Sequence, residues 1–276
     1  MKKFIIALLI YIYSQITFAE TYTLITPFPP GGTTDTTARY LTDKLNKRFS
    51  DKFIIINKPG ANGTIAYQYF LESYKHNPNT LLFGTLSTIL LEDITNPNNP
   101  LRISDNTRVL INLGRSELLV MARKEDPRNK VDDFKNSNIG YFSPLLYLNA
   151  KLLGFDKNGN QFIPYKGEAA TRLAFLSKEI DVIADTSSQT DDFKSKVKII
   201  ASSSKYNLYG VFSIIVPKNF DTFKLNDLNT KFNRILNDSE VYEWMKSRDL
   251  HGAGGTPEEG DASYNVARKY YSTIIK

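Results

Sequence analysis

The sequence predicts an α/β chain of two lobes joined by two crossing strands. Three observations carry that expectation. Short apolar runs alternate with amphipathic helical stretches from Tyr22 onward. Two of the strand-to-helix junctions, near residues 27–33 and 57–64, are rich in proline and glycine. Two further apolar runs, Glu117 to Met121 and Gly210 to Pro217, lie where a chain would leave one α/β unit and return to it.

The first junction organises the rest. A strand over Tyr22 to Ile25 runs into Thr26-Pro27-Phe28-Pro29-Pro30-Gly31-Gly32-Thr33-Thr34-Asp35. A helix follows, with Ala38, Leu41, Leu45 and Phe49 near one face. The prolines stiffen the turn and the glycines leave backbone N–H groups uncovered. Those groups fall at a helix N-terminus, which favours an anion. The pattern repeats: Phe53 to Ile56 reads as a fully buried strand, then Asn57-Lys58-Pro59-Gly60-Ala61-Asn62-Gly63, then a helix from about Thr64 to Ser73. Two such junctions can aim two helix N-termini at one crevice, where an open α/β sheet binds its ligand. Read singly, either is also an ordinary tight turn.

Leu81 to Gly84 reads as a third strand, followed by Thr85, Ser87 and Thr88 and a short helix towards Asp93. Asn96 to Pro100 is a turn, and Val109 to Leu113 another strand. The second unit starts with a short helix at Val131 to Lys135 and a strand at Ile139 to Tyr141. A helix covers Leu145 to Leu153, and a strand over Phe162 to Pro164 ends in Tyr165-Lys166-Gly167. Glu168 to Ser177 reads as a helix with Ala169, Leu173 and Leu176 near its apolar face. Strands follow at Asp181 to Ala184, with Asp185 at the end, and at Lys198 to Ala201. Helices at Asn226 to Leu236 and Ser239 to Arg248 precede the last one. That one opens on Thr256-Pro257-Glu258-Glu259, an N-cap, a first-turn proline and a capping-box glutamate. The boundaries are residues 20–120 for lobe one, 121–212 for lobe two and 213–276 for the return to lobe one.

Residues 1–19 read as a signal peptide: Lys2 and Lys3, an apolar run from Phe4 to Tyr13, and small residues at Thr17-Phe18-Ala19. That run is short for a membrane span. The chain has 276 residues, 35 basic against 29 acidic, and no cysteine. Neither a disulfide framework nor attachment through an N-terminal cysteine is available. Its positive charge is scattered, with no basic stripe of the kind nucleic acid needs.

The two glycine junctions together resemble the paired signatures of the Bug family, the periplasmic substrate-binding proteins of tripartite tricarboxylate transporters. The resemblance continues at Ile163-Pro164-Tyr165-Lys166-Gly167, at Asp181-Val182-Ile183-Ala184-Asp185 and at Gly254-Gly255-Thr256-Pro257-Glu258-Glu259. It implies a type II periplasmic binding-protein fold, a small organic acid or amino acid as ligand, and membrane transporter subunits as partners. The chain departs from the family pattern at Tyr141 to Leu146, where only Ser143 keeps the hydroxyl character, and at Ser202 to Tyr209, which is shorter.

Catalytic signals are missing from the sequence. It has no Cys nucleophile, no Ser in a G-x-S-x-G elbow, no phosphate-binding lysine motif and no dinucleotide fingerprint. His76 and His251, beside polar turn residues, read as surface groups. The expectation is therefore a monomeric receptor, not an enzyme, without cofactor or metal. A ligand-sensing protein acting on a periplasmic signalling receptor is the alternative. The expected ligand set is Phe28, Pro30, Gly31, Gly32, Thr33, Thr34 and Asp35 from the first loop and Gly60, Ala61, Asn62 and Gly63 from the second. Thr85, Ser87, Ser143, Tyr165 and Asp185 complete it. The loop N–H groups hold a carboxylate, with bridging water. Asp35 reads either as a brace for its loop or as part of the pocket. Phe28 either covers the ligand or packs the loop, and Lys166 either neutralises a carboxylate or is solvated.

Overall fold

A computed structural model describes residues 19–275 apart from 97, 99, 100, 190 and 207. The leader read at 1–19 falls, save Ala19, outside the described residues, as does most of the turn at 96–100. The chain runs β1 (Thr21–Thr26), α1 (Thr33–Arg48), β2 (Lys52–Asn57), α2 (Thr64–His76), β3 (Thr80–Thr85), α3 (Leu86–Thr95), α4 (Ile103–Asn106) and β4 (Thr107–Arg123). It continues β5 (Asn138–Tyr141), α5 (Pro144–Leu152), β6 (Gln161–Pro164), α6 (Glu168–Leu176), β7 (Val182–Thr186), α7 (Asp191–Lys194) and β8 (Val197–Ser202). It closes with β9 (Tyr209–Pro217), α8 (Thr222–Leu236), α9 (Ser239–Ser247) and α10 (Pro257–Ile274).

The strands form one mixed sheet in the order β2-β1-β3-β9-β4-β7-β5-β6, with β8 also on β4. β4 is shared by both halves. Residues 107–117 pair with β9, and from Leu118 onward the strand pairs with β7 and β8 instead. In the first half β1 is parallel to β2 and β3, and in the second β5 is parallel to β6 and β7. Side chains alternate between the faces as the pleat requires. Leu24, Leu81 and Phe83 pack with Leu41 and Leu45 of α1 and Phe232 of α8. Ile25 and Leu82 join Phe70 and Ile89 on the other face, in a cluster that continues into the second half at Val120, Ile139, Leu146 and Ala184. A core shared in this way holds the two halves as one sheet.

Three local expectations are corrected. Val109 to Leu113 and Glu117 to Met121 are not separate strands but parts of β4. Gly114, at φ +110°, sits at a register shift there, and the bulge breaks the apolar alternation that marks a strand. Phe53 to Ile56 is not fully buried. β2 is the sheet edge, and Ile54 is 38% exposed. In α6 the expected apolar face points outward: Leu173 is 69% exposed and Leu176 41%. The helix buries Glu168, Thr171, Ala174 and Phe175 instead. The remaining helices and strands lie within a few residues of their expected places, except that Val131 to Lys135 makes only a short 3-10 turn at Val131–Asp133.

Thr256 caps α10 as the motif predicts. Its side chain accepts the Glu259 N–H at 3.2 Å, and Glu259 Oε2 accepts the Thr256 N–H at 2.8 Å. Further along α10, Tyr264 and Tyr271 are buried in the core. Thr256→Ala is expected to cost about 1 kcal/mol and to lower the urea midpoint. An unchanged midpoint would show that this cap contributes nothing.

Candidate functional site

The loop between β1 and α1 is set by local chemistry. Gly31 has φ +92°, a region that favours glycine, and Gly32 is the helix N-cap in extended conformation at φ −78°. Asp35, in the first turn and 2% exposed, is the brace of the loop. Its carboxylate accepts the Gly31 N–H at 3.0 Å, Arg39 Nε at 2.9 Å and Asn57 Nδ2 at 2.8 Å. Asn57 ends β2, so one carboxylate ties both glycine junctions together. Burial would raise its pKa, but the bonds from Arg39, Gly31 and Asn57 outweigh that and hold it below the usual carboxylate range.

The second junction is under backbone strain. Gly60, Ala61, Asn62 and Gly63 all have positive φ, at +122°, +45°, +53° and +94°. A run that includes an alanine in the left-handed region is costly and is found where a loop must hold a particular shape. Gly60, Ala61 and Asn62 are exposed, and the loop borders a cleft of about 490 Å³. Pro27, Phe28 and Pro29 line it from the same half, and Phe142, Tyr165, Lys166 and Gly167 from the other. Phe28 meets Phe142 edge to face with ring centroids 6.5 Å apart. Gly167, at φ +109°, lies so near Pro29 that a Cβ there would stand 3.1 Å from the ring. The halves touch at this point.

The helix N-terminus at Thr33 already holds a carboxylate, and it belongs to the protein. Glu168, the first residue of α6, reaches across from the second half. Thr33 donates its N–H to Glu168 Oε2 at 2.7 Å, and Thr33 Oγ1 lies 2.8 Å from Oε1. Arg172 Nη2, one turn along α6, stands 2.6 Å from the same Oε1 and donates through Nε to Asp185 Oδ2 at 2.8 Å. Burial, reinforced by the Asp185 charge and opposed by Arg172 and Thr33, pushes Glu168 up to about 7. Burial raises Asp185 as well, against the pull of Arg172.

Some expected site residues stand elsewhere. Asp185 does not reach the cleft. It is fully buried, with its oxygens taken by Arg172 and by the Thr186 N–H at 2.7 Å. Ser87 is buried too, and its hydroxyl donates to the Tyr209 carbonyl at 2.8 Å, tying α3 to β9. Ser143 caps α5. With Thr34, Thr85, Glu168 and Phe212 it surrounds a space of about 30 Å³. Tyr165 lines the cleft while its hydroxyl donates to Glu179 at 2.7 Å. Glu168 and Arg172 are the residues that the sequence reading passed over. Their signal was the i, i+4 pair of opposite charges directly after Gly167. His76 and His251 are exposed.

A two-halved α/β sheet with its cleft at the glycine-rich strand ends is the architecture of a type II periplasmic binding protein. The chain belongs to the tripartite tricarboxylate transporter receptor family, whose model matches residues 37–206. MatC of Rhodopseudomonas palustris, whose structure holds malate, superposes with a TM-score of 0.77 at 20% identity, covering 93% of this chain and 99% of that one. The periplasmic binding protein BugD gives 0.78 at 18%, covering 94% and 97%. Among sequence relatives, a UPF0065 protein of Bordetella pertussis is 28% identical over 170 residues, 58% of this chain and 52% of its own. The match thus spans about half the length of that relative. A UPF0065 protein of Pseudomonas sp. strain P51 is 21% identical over 275 residues, 86% of this chain and 80% of its own. The family is one of transporter receptors, and the similar structures include a TctC solute binding protein from Polaromonas. Among the described residues no helix is long and apolar enough to cross a membrane.

The Asp35 brace generates a pH-dependent expectation. A carboxylate with a lowered folded pKa contributes stability above its unfolded pKa, and that contribution is lost as pH falls through the folded value. Asp35→Asn is expected to cost about 1.5–3 kcal/mol at pH 7, the worth of a charged hydrogen bond. The deficit should begin to shrink below about pH 4, where Asp35 of the unfolded chain takes up a proton, and be lost as pH falls through the lower folded value. Urea unfolding at both pH values measures it. An equal deficit at both would mean that the charge is not what braces the loop.

Proposed function

We propose that the protein is a periplasmic solute-binding receptor, exported by the leader at 1–19 and cleaved before Glu20. Its two sheet halves act as lobes that take up a small carboxylate-bearing metabolite and deliver it to membrane transporter subunits. The observation that carries this reading is the carboxylate on Thr33. An N–H and a hydroxyl at the start of a 16-residue helix meet both oxygens of the Glu168 carboxyl group, at 2.7 and 2.8 Å, with Arg172 of α6 approaching one of them from the other half. The cleft beside it is lined by the strained Gly60–Gly63 loop, with room for a small metabolite. Malate in MatC and adipate in a second Rhodopseudomonas palustris protein of similar fold accord with a carboxylate ligand. The donors are the N–H groups of Gly32 and Thr34 and of Gly60 to Asn62, joined by that of Thr33 when Glu168 releases it; the Gly31 N–H is given to Asp35 and the Gly63 N–H to the Gly60 carbonyl. Phe28 and Tyr165 shape the walls, Pro30 borders a smaller recess with Gly32, Thr34 and Glu168, and Thr34, Thr85 and Ser143 bound the inner end. No bond is made or broken in the solute.

Export is checked by the N-terminus of protein recovered from the periplasmic fraction, which should begin at Glu20. Intact Met1 in a membrane pellet would mean an anchored chain. Binding is checked by calorimetric titration with a panel of small mono- and dicarboxylates. Gly32→Val adds bulk at the cradle, where even a Cβ stands 3.3 Å from Glu168 Oε2, and should weaken binding about tenfold or more. Lys166 is exposed, and Lys166→Ala should cost under about 1 kcal/mol. Normal binding by Gly32→Val together with loss in Lys166→Ala would place the solute carboxylate on a side-chain cation instead.

A further inference from the structure

At Thr33 two acceptors share one hydroxyl proton. Thr33 Oγ1 lies 2.8 Å from Glu168 Oε1 and 2.8 Å from the Ser188 carbonyl oxygen. A hydroxyl has one hydrogen to donate, and a carbonyl can only accept. Both contacts are satisfied together when Glu168 carries a proton and donates it to Thr33 Oγ1, which then donates its own to Ser188. Charge leads to the same state. Arg172 is one guanidinium between two buried carboxyl groups, so a negative charge is left over unless a proton is taken up. Asp185 receives the aligned bond from Arg172 Nε, whereas Arg172 Nη2 approaches Glu168 without forming an aligned hydrogen bond. Asp185 is therefore the ionised member and Glu168 the neutral one. Of the other charged groups nearby, Asp35 on α1 is turned to Gly31, Asn57 and Arg39, and Lys166 is exposed on the cleft wall.

Space completes the case. Thr34, Thr85, Ser143 and Phe212 leave about 30 Å³ beside Glu168, room for roughly one water. No organic acid fits there while Glu168 keeps its place.

We propose that Glu168 decides how readily this site takes an organic acid: its carboxyl group occupies the place on Thr33 that a solute carboxylate would use, latches the two halves together, and must be displaced for the solute to bind. This rests on the receptor reading. The latch is linked to pH, and the sign follows from the pKa. Glu168 is pushed up to about 7 when seated, above its ordinary value. The contribution is full below that ordinary value and is lost as pH rises through about 7.

The test uses the mature protein, freed of co-purified solute by unfolding and refolding, in two measurements. Solution scattering at pH 5.5 and pH 8.5 reads how closely the halves are held. Titration with succinate, and with butyrate as a one-carboxylate probe, reads access to the cradle. Glu168→Gln keeps a donor and an acceptor on Thr33 but cannot ionise. Glu168→Ala removes the latch and leaves Arg172 paired with Asp185. Wild type should be compact at pH 5.5 and expand by pH 8.5, Glu168→Gln compact at both, and Glu168→Ala expanded at both. At pH 5.5 Glu168→Ala should bind succinate about tenfold more tightly than wild type, the figure for a latch closed in nine molecules of ten. Equal compactness of wild type and Glu168→Ala at both pH values, with equal affinity, overturns the latch and leaves the receptor reading standing. The expected scattering pattern with no binding of either acid by any variant supports the latch and counts against the receptor. Should Glu168→Ala fail to refold, Glu168→Gln decides alone: a pH-dependent expansion like that of wild type overturns the proposal.

Discussion

The contact between the two halves of the sheet turns on one group, the Glu168 carboxyl on the N-terminal turn of α1. Burying a carboxyl group is unfavourable unless its oxygens are matched. Here Thr33 supplies an N–H and a hydroxyl, and the positive end of the α1 dipole faces the group. Arg172 lies close but is committed more firmly to Asp185. The compensation is good but incomplete. A partly matched buried charge is the kind of group that either takes up a proton or leaves its site. The contact between the halves is therefore not an inert piece of packing. Its strength depends on the charge state of one side chain.

The fold places that contact with little freedom. β1 delivers the loop and α1 from the interior of the first half, with Leu41 and Leu45 of α1 packed under Leu24, Leu81 and Phe83. Asp35 then fixes the loop to the end of β2. From the other side, β6 ends at Pro164, and Gly167 brings the start of α6 against Pro29. The two helices thus meet near their N-termini, where their partial charges are alike. The Glu168 carboxyl group, on the first residue of α6, stands between them and accepts the Thr33 N–H. β4, continuous through both halves with a bulge at Gly114, is the element by which any change of distance at the contact passes into the sheet.

Much of this was legible in the residues. The two glycine junctions, the capping box at Thr256 and the alternation of strands and helices follow from local chemistry, and local chemistry is what a sequence displays. The misreadings share one cause. The apolar stripe of α6 predicts its buried face, on the rule that charges face water. The helix does the reverse: Leu173 is exposed while Glu168 and Arg172 are inside, because Asp185 and Thr33, far away in the chain, supply their partners. Asp185 stands at a strand end, the place that points to the cleft, and nothing beside it in sequence shows that Arg172 covers it. β2 looked buried because an edge strand that keeps helices on its face is still rich in isoleucine. Partners of buried charges are tertiary facts, and a single sequence gives no measure of them.

A helix N-terminus has no means of telling one carboxylate from another. Its N–H groups present a partial charge and a direction, and any anion of suitable geometry satisfies them. Discrimination must come from what surrounds the cradle, and the nearest competitor is covalently attached. A tethered group acts at an effective concentration in the millimolar range for a flexible link, and higher when the link holds it in place. A solute at lower concentration overcomes that advantage only if the tethered group is itself poorly matched when seated. Glu168 meets that condition: Asp185 and burial penalise its charge, and the single Thr33 proton is wanted by Ser188 as well. A solute that brings a second polar group to the Gly60–Gly63 loop gains contacts that Glu168 cannot make. The imperfect burial of the triad is what leaves an anion site with a resident carboxyl group open to exchange.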